Sequence, residues 1–182
     1  MAGILNRRTL RTFILLFVLV NLVAGSIIGC GRAEKEYVHY TNTEFGYSLD
    51  YPSDWYLEEL NPNEIALGPH TDEFSQIQVV ASPGAPVLKS LTPEMAAANT
   101  EADLYLFFDV LKCTNLSIFV NEAVSGKWDW KDVFTVTCQG TSLLGAKFIK
   151  ETLSITYTIL ILSPRRTGFA EGWDVIDSFE LK

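Results

Sequence analysis

Histidine is nearly missing from this chain. Its 182 residues hold two, His39 and His70, and three cysteines. None of the five stands in a metal-ligand or redox spacing such as His-Glu-x-x-His or Cys-x-x-Cys. A Gly-x-Ser-x-Gly elbow, a phosphate-binding loop and a dinucleotide fingerprint are missing as well. The sequence therefore offers no catalytic constellation, no metal set and no cofactor set. Positive charge is also scarce, with 14 Lys and Arg against 22 Asp and Glu. Arg7, Arg8 and Arg11 precede the first apolar run and every acidic residue follows Cys30, so the part after Cys30 carries a net charge of −11. Such a surface is repelled by phosphate backbones, which argues against nucleic acid as a partner. It does not adhere by charge to anionic lipid either, so any attachment to a membrane needs another cause.

The first thirty residues supply one. A basic start is followed by a charge-free stretch from Thr12 to Ile28, almost purely apolar over residues 13–20, that softens at Asn21, Gly25 and Ser26. These are the parts of an export signal. It ends in Ile27-Ile28-Gly29-Cys30, which resembles a bacterial lipobox with Ile28 as a mild departure. That resemblance implies cleavage after residue 29, lipid on Cys30, and anchoring on the extracytoplasmic face of the cell membrane by two or three acyl chains. An uncleaved span of about 20 residues and a plainly secreted protein are the alternatives. All three put residues 31–182 outside the cytoplasm.

With Cys30 set aside, Cys113 and Cys138 remain. They flank two β-like runs, 114–121 and 131–138, which a hairpin would bring together. An exported compartment permits a disulfide, worth about 3 kcal/mol for a loop of this length in the chain-entropy account. Two reduced, buried thiols are the alternative.

Residues 30–40 read as the lipidated cysteine and a polar tether, and residues 41–182 as one domain. Phe45, Tyr47, Leu49 and Tyr51 alternate with small or polar residues, the period of a half-buried strand. Pro52-Ser53-Asp54 ends it and Trp55 opens a second. Asn61-Pro62-Asn63 marks a turn, and short strands follow at 64–67 and 75–81. Thr92 as N-cap and Pro93 as first residue begin a helix to about residue 109, with Ala97, Leu104, Phe108 and Leu111 near one face and Glu101 interrupting them. After the two β-like runs, Gly140 and Gly145 read as turn residues. Leu153, Ile155, Tyr157, Ile159 and Ile161 then form the longest strand, apolar on both faces at Leu160 and Leu162 and so central in its sheet. A last helix carries Phe169, Trp173 and Ile176; Gly168 and Gly172 weaken it, so it needs tertiary support. Phe179 and Leu181 add a final short strand. This order predicts an α+β domain, a mainly antiparallel sheet with helices packed on it in α/β/α layers.

The opening Glu44-Phe45-Gly46-Tyr47-Ser48-Leu49-Asp50-Tyr51-Pro52-Ser53-Asp54-Trp55 and the closing Val175-Ile176-Asp177-Ser178-Phe179-Glu180-Leu181 resemble the two ends of PsbP-like domains. The family's signatures there are F-G-[FY]-S-[IL]-x-[YF]-P-x-x-W and I-x-x-S-F-x-[FL]. The resemblance implies an antiparallel sheet between helices and a non-enzymatic accessory role. It implies no chemistry, and the family's photosynthetic role does not transfer with the fold.

Few residues invite a functional reading. Trp128 and Trp130, in Lys127-Trp128-Asp129-Trp130-Lys131, would share one face of a strand, as a partner or stacking surface or as rings packed on the last helix or the hairpin. Asp129 and Asp132 are the nearest approach to an acid/base pair. His70 with Asp72 and Glu73 would make at most a weak metal site in a solvated loop. The leading expectation is a binding or scaffold lipoprotein with a protein partner in the cell envelope. A solute- or metal-binding transport component and a cell-envelope hydrolase are the other readings.

Overall fold

The computed structural model describes residues 35–70, 75–164 and 166–182. Cys30 and the expected export signal lie outside the described residues. Among the described residues, ten strands form two antiparallel sheets. The small one has the order β1 (Tyr37–Asn42), β2 (Tyr47–Pro52), β10 (Glu180–Leu181). The large one runs β3 (Trp55–Asn61), β4 (Glu64–Pro69), β5 (Gln76–Pro83), β9 (Ile155–Ser163), β8 (Thr141–Glu151), β7 (Trp130–Cys138), β6 (Thr114–Ala123). Helix α1 (Pro93–Val110) lies on one face of the large sheet, and α2 (Arg166–Ser178) lies with the small sheet on the other. The predicted α+β class and layering are those observed.

The face toward α2 holds the larger core. Period-two alternation sends Ile65, Leu67, Ile77, Val79, Ala146, Phe148, Tyr157, Ile159 and Ile161 to it. Tyr47 and Leu49 of β2 close it, with Phe179 from the link between α2 and β10. Phe179 stacks on Tyr47 at 5.4 Å between ring centroids and meets Trp128 at 5.3 Å. The Ser178 hydroxyl accepts the Asp50 amide N–H at 2.8 Å, tying the end of α2 to β2. The two motif ends thus touch each other, and their shared reason is packing. The glycines that weaken α2 allow its close approach. A Cβ at Gly172 would stand 3.1 Å from Ile161, and one at Gly168 would stand 2.7 Å from the Ser163 hydroxyl.

Four expectations are corrected. The strand β1 begins at Tyr37, so residues 37–40 belong to the domain and not to the tether; His39 sits in this strand, its Nδ1 2.6 Å from Asp50 Oδ1. Gly145 is no turn residue but the middle of β8, an eleven-residue strand missing from the sequence reading because its glycine and two lysines broke the alternation. Leu153 lies in the β8–β9 connection, 93% exposed, and β9 starts only at Ile155; its central place in the sheet is as expected. The inward stripe of α1 is Ala96, Thr100, Leu104 and Phe108, a strict i, i+4 row whose polar member hid it.

A disulfide joins Cys113 to Cys138, one pair beyond the Thr114–Thr137 register of the β6–β7 hairpin. Immediately before it, α1 ends in a Schellman motif. The Cys113 N–H reaches the Phe108 carbonyl at 2.9 Å, the Lys112 N–H reaches Asp109 at 3.0 Å, and Lys112 takes the left-handed conformation (φ 57°).

Gly145 stands opposite Phe134 in the β7–β8 ladder. A Cβ there would stand 2.3 Å from the fully buried Phe134 ring. Gly145→Ala is therefore expected to destabilise the protein by about 2 kcal/mol through overpacking, and Phe134→Leu in the same chain should recover part of that loss. Urea unfolding of the two single variants and the double variant measures this; additive losses would contradict the contact.

Candidate functional site: helix α1 and the groove beside it

Helix α1 starts as expected. The Thr92 hydroxyl accepts the Met95 N–H at 3.4 Å, Pro93 occupies the first turn and Glu94 faces the positive helix end. Its inner row meets the sheet in two patches. Phe108 packs edge-on against Phe134 at 5.3 Å beside Leu104, Val136, Leu143 and the disulfide. Ala96 packs against Trp130, Ile149 and Leu88.

Between those patches lies a polar network. Trp130 Nε1 donates to Asn121 Oδ1 at 3.0 Å and to Asp132 Oδ1 at 3.1 Å. The fully buried Thr100 hydroxyl lies 3.3 Å from Asn121 Oδ1 and 3.4 Å from Asp132 Oδ1. Lys147, from β8, donates to the Thr100 carbonyl at 3.3 Å and lies 3.8 Å from the Asp103 carboxylate. Asp132 Oδ2 has no hydrogen-bond partner among the described residues. Burial raises the Asp132 carboxyl above its ordinary value, and the Lys147 ammonium only partly offsets this. Burial lowers the Lys147 ammonium, against the pull of Asp132 and Asp103. Lys147 was not singled out from the sequence. Its signal, a lysine in an otherwise apolar run, becomes readable only once β8 is recognised as a strand.

Beside α1, where the helix leaves β5 uncovered, runs a groove of about 270 Å³. Leu104, Phe107, Val80 and Leu160 make it mostly apolar; Asp103 and Lys147 stand on its wall. A second concavity, about 490 Å³ and mostly polar, lies between β1 and the β3–β4 turn, lined by Tyr40, Asn42, Glu44, Glu59 and Asn61. The outer side of α1 is apolar as well: Met95, Tyr105, Leu106 and Val110 are 56%, 51%, 67% and 75% exposed.

The predicted site residues fall elsewhere. Trp128 and Trp130 do not form a surface platform. Trp128 precedes β7 and is buried against Phe148 and Phe179 on the α2 side, while Trp130 opens β7 and is buried under α1. Their two-residue spacing does not put them on one face because the strand begins between them. Asp129 and Asp132 do not meet as a pair either. Asp129 accepts the Glu151 N–H at 2.7 Å and pairs with Lys89 and Lys150 at 3.2 and 3.4 Å. Burial pushes the Asp129 carboxyl up, but that amide and the two ammonium groups outweigh it and hold it below the usual carboxylate range. Glu151 in turn accepts the N–H groups of Val87, Leu88 and Lys89 at 2.7, 2.9 and 3.0 Å, so its carboxylate caps the 3₁₀ turn over Leu88–Ser90. His70 packs against the Tyr56 ring at 5.8 Å; Asp72 and Glu73 lie outside the described residues. Among the described residues no three His, Cys, Asp or Glu side chains are grouped to hold a metal ion, and no helix is long and apolar enough to cross a membrane.

No family model matches the sequence, and no curated protein matches it. Solved structures do. The solution structure of cyanobacterial PsbP (CyanoP) from Synechocystis sp. PCC 6803 superposes with a TM-score of 0.59 at 15% identity, over 84% of this chain and 96% of that one. A crystal structure from Bacteroides thetaiotaomicron aligns at 19% identity with a TM-score of 0.46, over 75% of this chain and 45% of that one. The likeness to CyanoP shows that the domain has the PsbP-like fold, as the two motif ends implied.

The buried Asp132 makes stability depend on pH with a defined sign. Its folded-state value lies above the unfolded value of 3.8. As pH rises through that window the unfolded chain gives up the proton first, so folding loses ground. Wild type is expected to lose stability relative to Asp132→Asn as pH rises from about 4, and to stop losing it once the folded carboxyl has ionised. Urea midpoints of the two proteins between pH 3 and 8 test this; a constant difference would refute the burial effect.

Proposed function

We propose that this protein is a lipid-anchored, extracytoplasmic accessory module that works by binding a protein of the cell envelope and not by catalysis. The exposed apolar side of α1 carries this reading. A helix that has already buried one row of side chains gains nothing in folding from a second apolar face, and contiguous exposed apolar surface marks an interaction site. The PsbP-like fold supports an accessory role by analogy. The Ile27-Ile28-Gly29-Cys30 segment supports the anchor, and the net negative charge after Cys30 leaves lipid on that cysteine as the means of holding a membrane.

Cys30→Ala is expected to abolish labelling by radioactive palmitate and leave an unprocessed precursor. A variant that is still cut and labelled would remove the anchor from the proposal. Crosslinking in intact cells, followed by affinity recovery of the full chain from solubilised membranes, should yield one protein at constant ratio. Recovery of no protein, with tight binding of a purified small solute, would favour a transport component instead.

A further inference from the structure

We infer that the outer face of α1 receives a basic amphipathic helix from the partner protein; the inference rests on the binding-module reading and names the kind of partner. Met95, Ala102, Leu106 and Val110 lie along the exposed side of the helix at intervals of seven, four and four, with Tyr105 beside them and the polar Asn99 between the first two. From Met95 to Val110 this row extends over about 23 Å at 1.5 Å per residue. A straight ridge of that kind fits the groove between side-chain rows on another helix.

Charge selects which helix. Glu94 and Glu101 flank the apolar row on one side, Asp103 flanks it on the other, and Asp109 stands near its C-terminal end. No lysine or arginine occurs anywhere in Pro93–Val110; Lys112 follows the helix end, and Lys147 lies buried behind Asp103 at 3.8 Å. The negative end of the helix dipole coincides with Asp109, with no basic residue in the last turn to offset it. A second copy of this face would bring acid against acid, and an anionic lipid surface would be repelled in the same way. A helix with an apolar row flanked by lysines or arginines satisfies both the ridge and the rim.

The test places a photo-crosslinking phenylalanine analogue at Leu106 of the full chain in its own membranes, with a second chain carrying it at Leu153, which is 93% exposed on the β8–β9 connection. Crosslinked peptides are identified by mass spectrometry. The expected adduct at Leu106 is a segment of another protein with apolar residues at helical spacing and basic residues beside them. An adduct with a second copy, with phospholipid or with a segment lacking basic flanks overturns the inference. Capture of a protein from Leu153 with none from Leu106 overturns the α1 assignment and leaves the accessory reading standing, whereas silence at both positions removes both.

A purified pair of probes separates apolar contact from bare charge attraction. These are an 18-residue helical peptide of leucine and lysine in amphipathic order and its leucine and glutamate counterpart. The lysine peptide should bind at least about tenfold more tightly by fluorescence anisotropy, a difference of one decade in Kd. Leu106→Glu should weaken it by a similar factor with the melting temperature unchanged. Tighter binding to Leu106→Glu would mean that charge alone acts, and would overturn the docking geometry.

Discussion

One ring sets where the first helix stands. Phe134 lies in the middle of β7 with its ring in the space that a side chain at residue 145 would occupy, and glycine at 145 leaves that space open. With the ring over Gly145, Phe108 approaches it edge-on and Leu104 packs in the same cluster. The side of α1 that faces the sheet is decided by this contact, and so is the side that faces away. Because interiors are close-packed, a displacement of this ring is not absorbed locally but passed to the helix above it.

The layer under α1 is unusual in mixing that apolar contact with buried charge. Asp132, Thr100, Asn121 and Trp130 form a hydrogen-bonded set, and Lys147 reaches the backbone of the same helix. Such a network adds little net stability because desolvation opposes it. Its effect here is on register: sliding α1 by one residue would remove Thr100 from Asp132 and Asn121 and the Thr100 carbonyl from Lys147. The opposite layer works differently. Tyr47, Phe179, Trp128, Phe148 and Trp173 touch in succession, an aromatic path from the small sheet to α2 that involves no charge. Aromatic and aliphatic packing dominates that side, with the Ser178–Asp50 hydrogen bond fixing the end of α2, so the two layers are held by different physics.

How much of this could be read from residues alone follows from the same contrast. The α2 layer was legible because its strands alternate cleanly, its helix has apolar residues at helical spacing, and its motif ends are aromatic. The α1 layer was not. Thr100 broke the helical row, Gly145 with Lys147 and Lys150 broke the pattern of β8, and Asp132 stood out only as a neighbour of Asp129. Each is a polar or missing side chain whose partner lies far along the sequence, so no local period records it. Trp128 and Trp130 failed for a related reason, since the spacing argument holds only inside a strand and β7 starts at the second of them.

The bond between Cys113 and Cys138 closes residues 113–138 into a covalent ring that contains β6, the link over residues 124–129, and β7. A protease that cut the exposed part of that link at Ser125–Lys127 would open the ring without releasing either half. Helix α1 would remain joined through sulfur to the strand beneath it, and β6 and β7 would keep their ladder. Scission of the backbone in this exposed link is thus uncoupled from loss of the helix, and the cut chain would still migrate as one piece until a reductant was added.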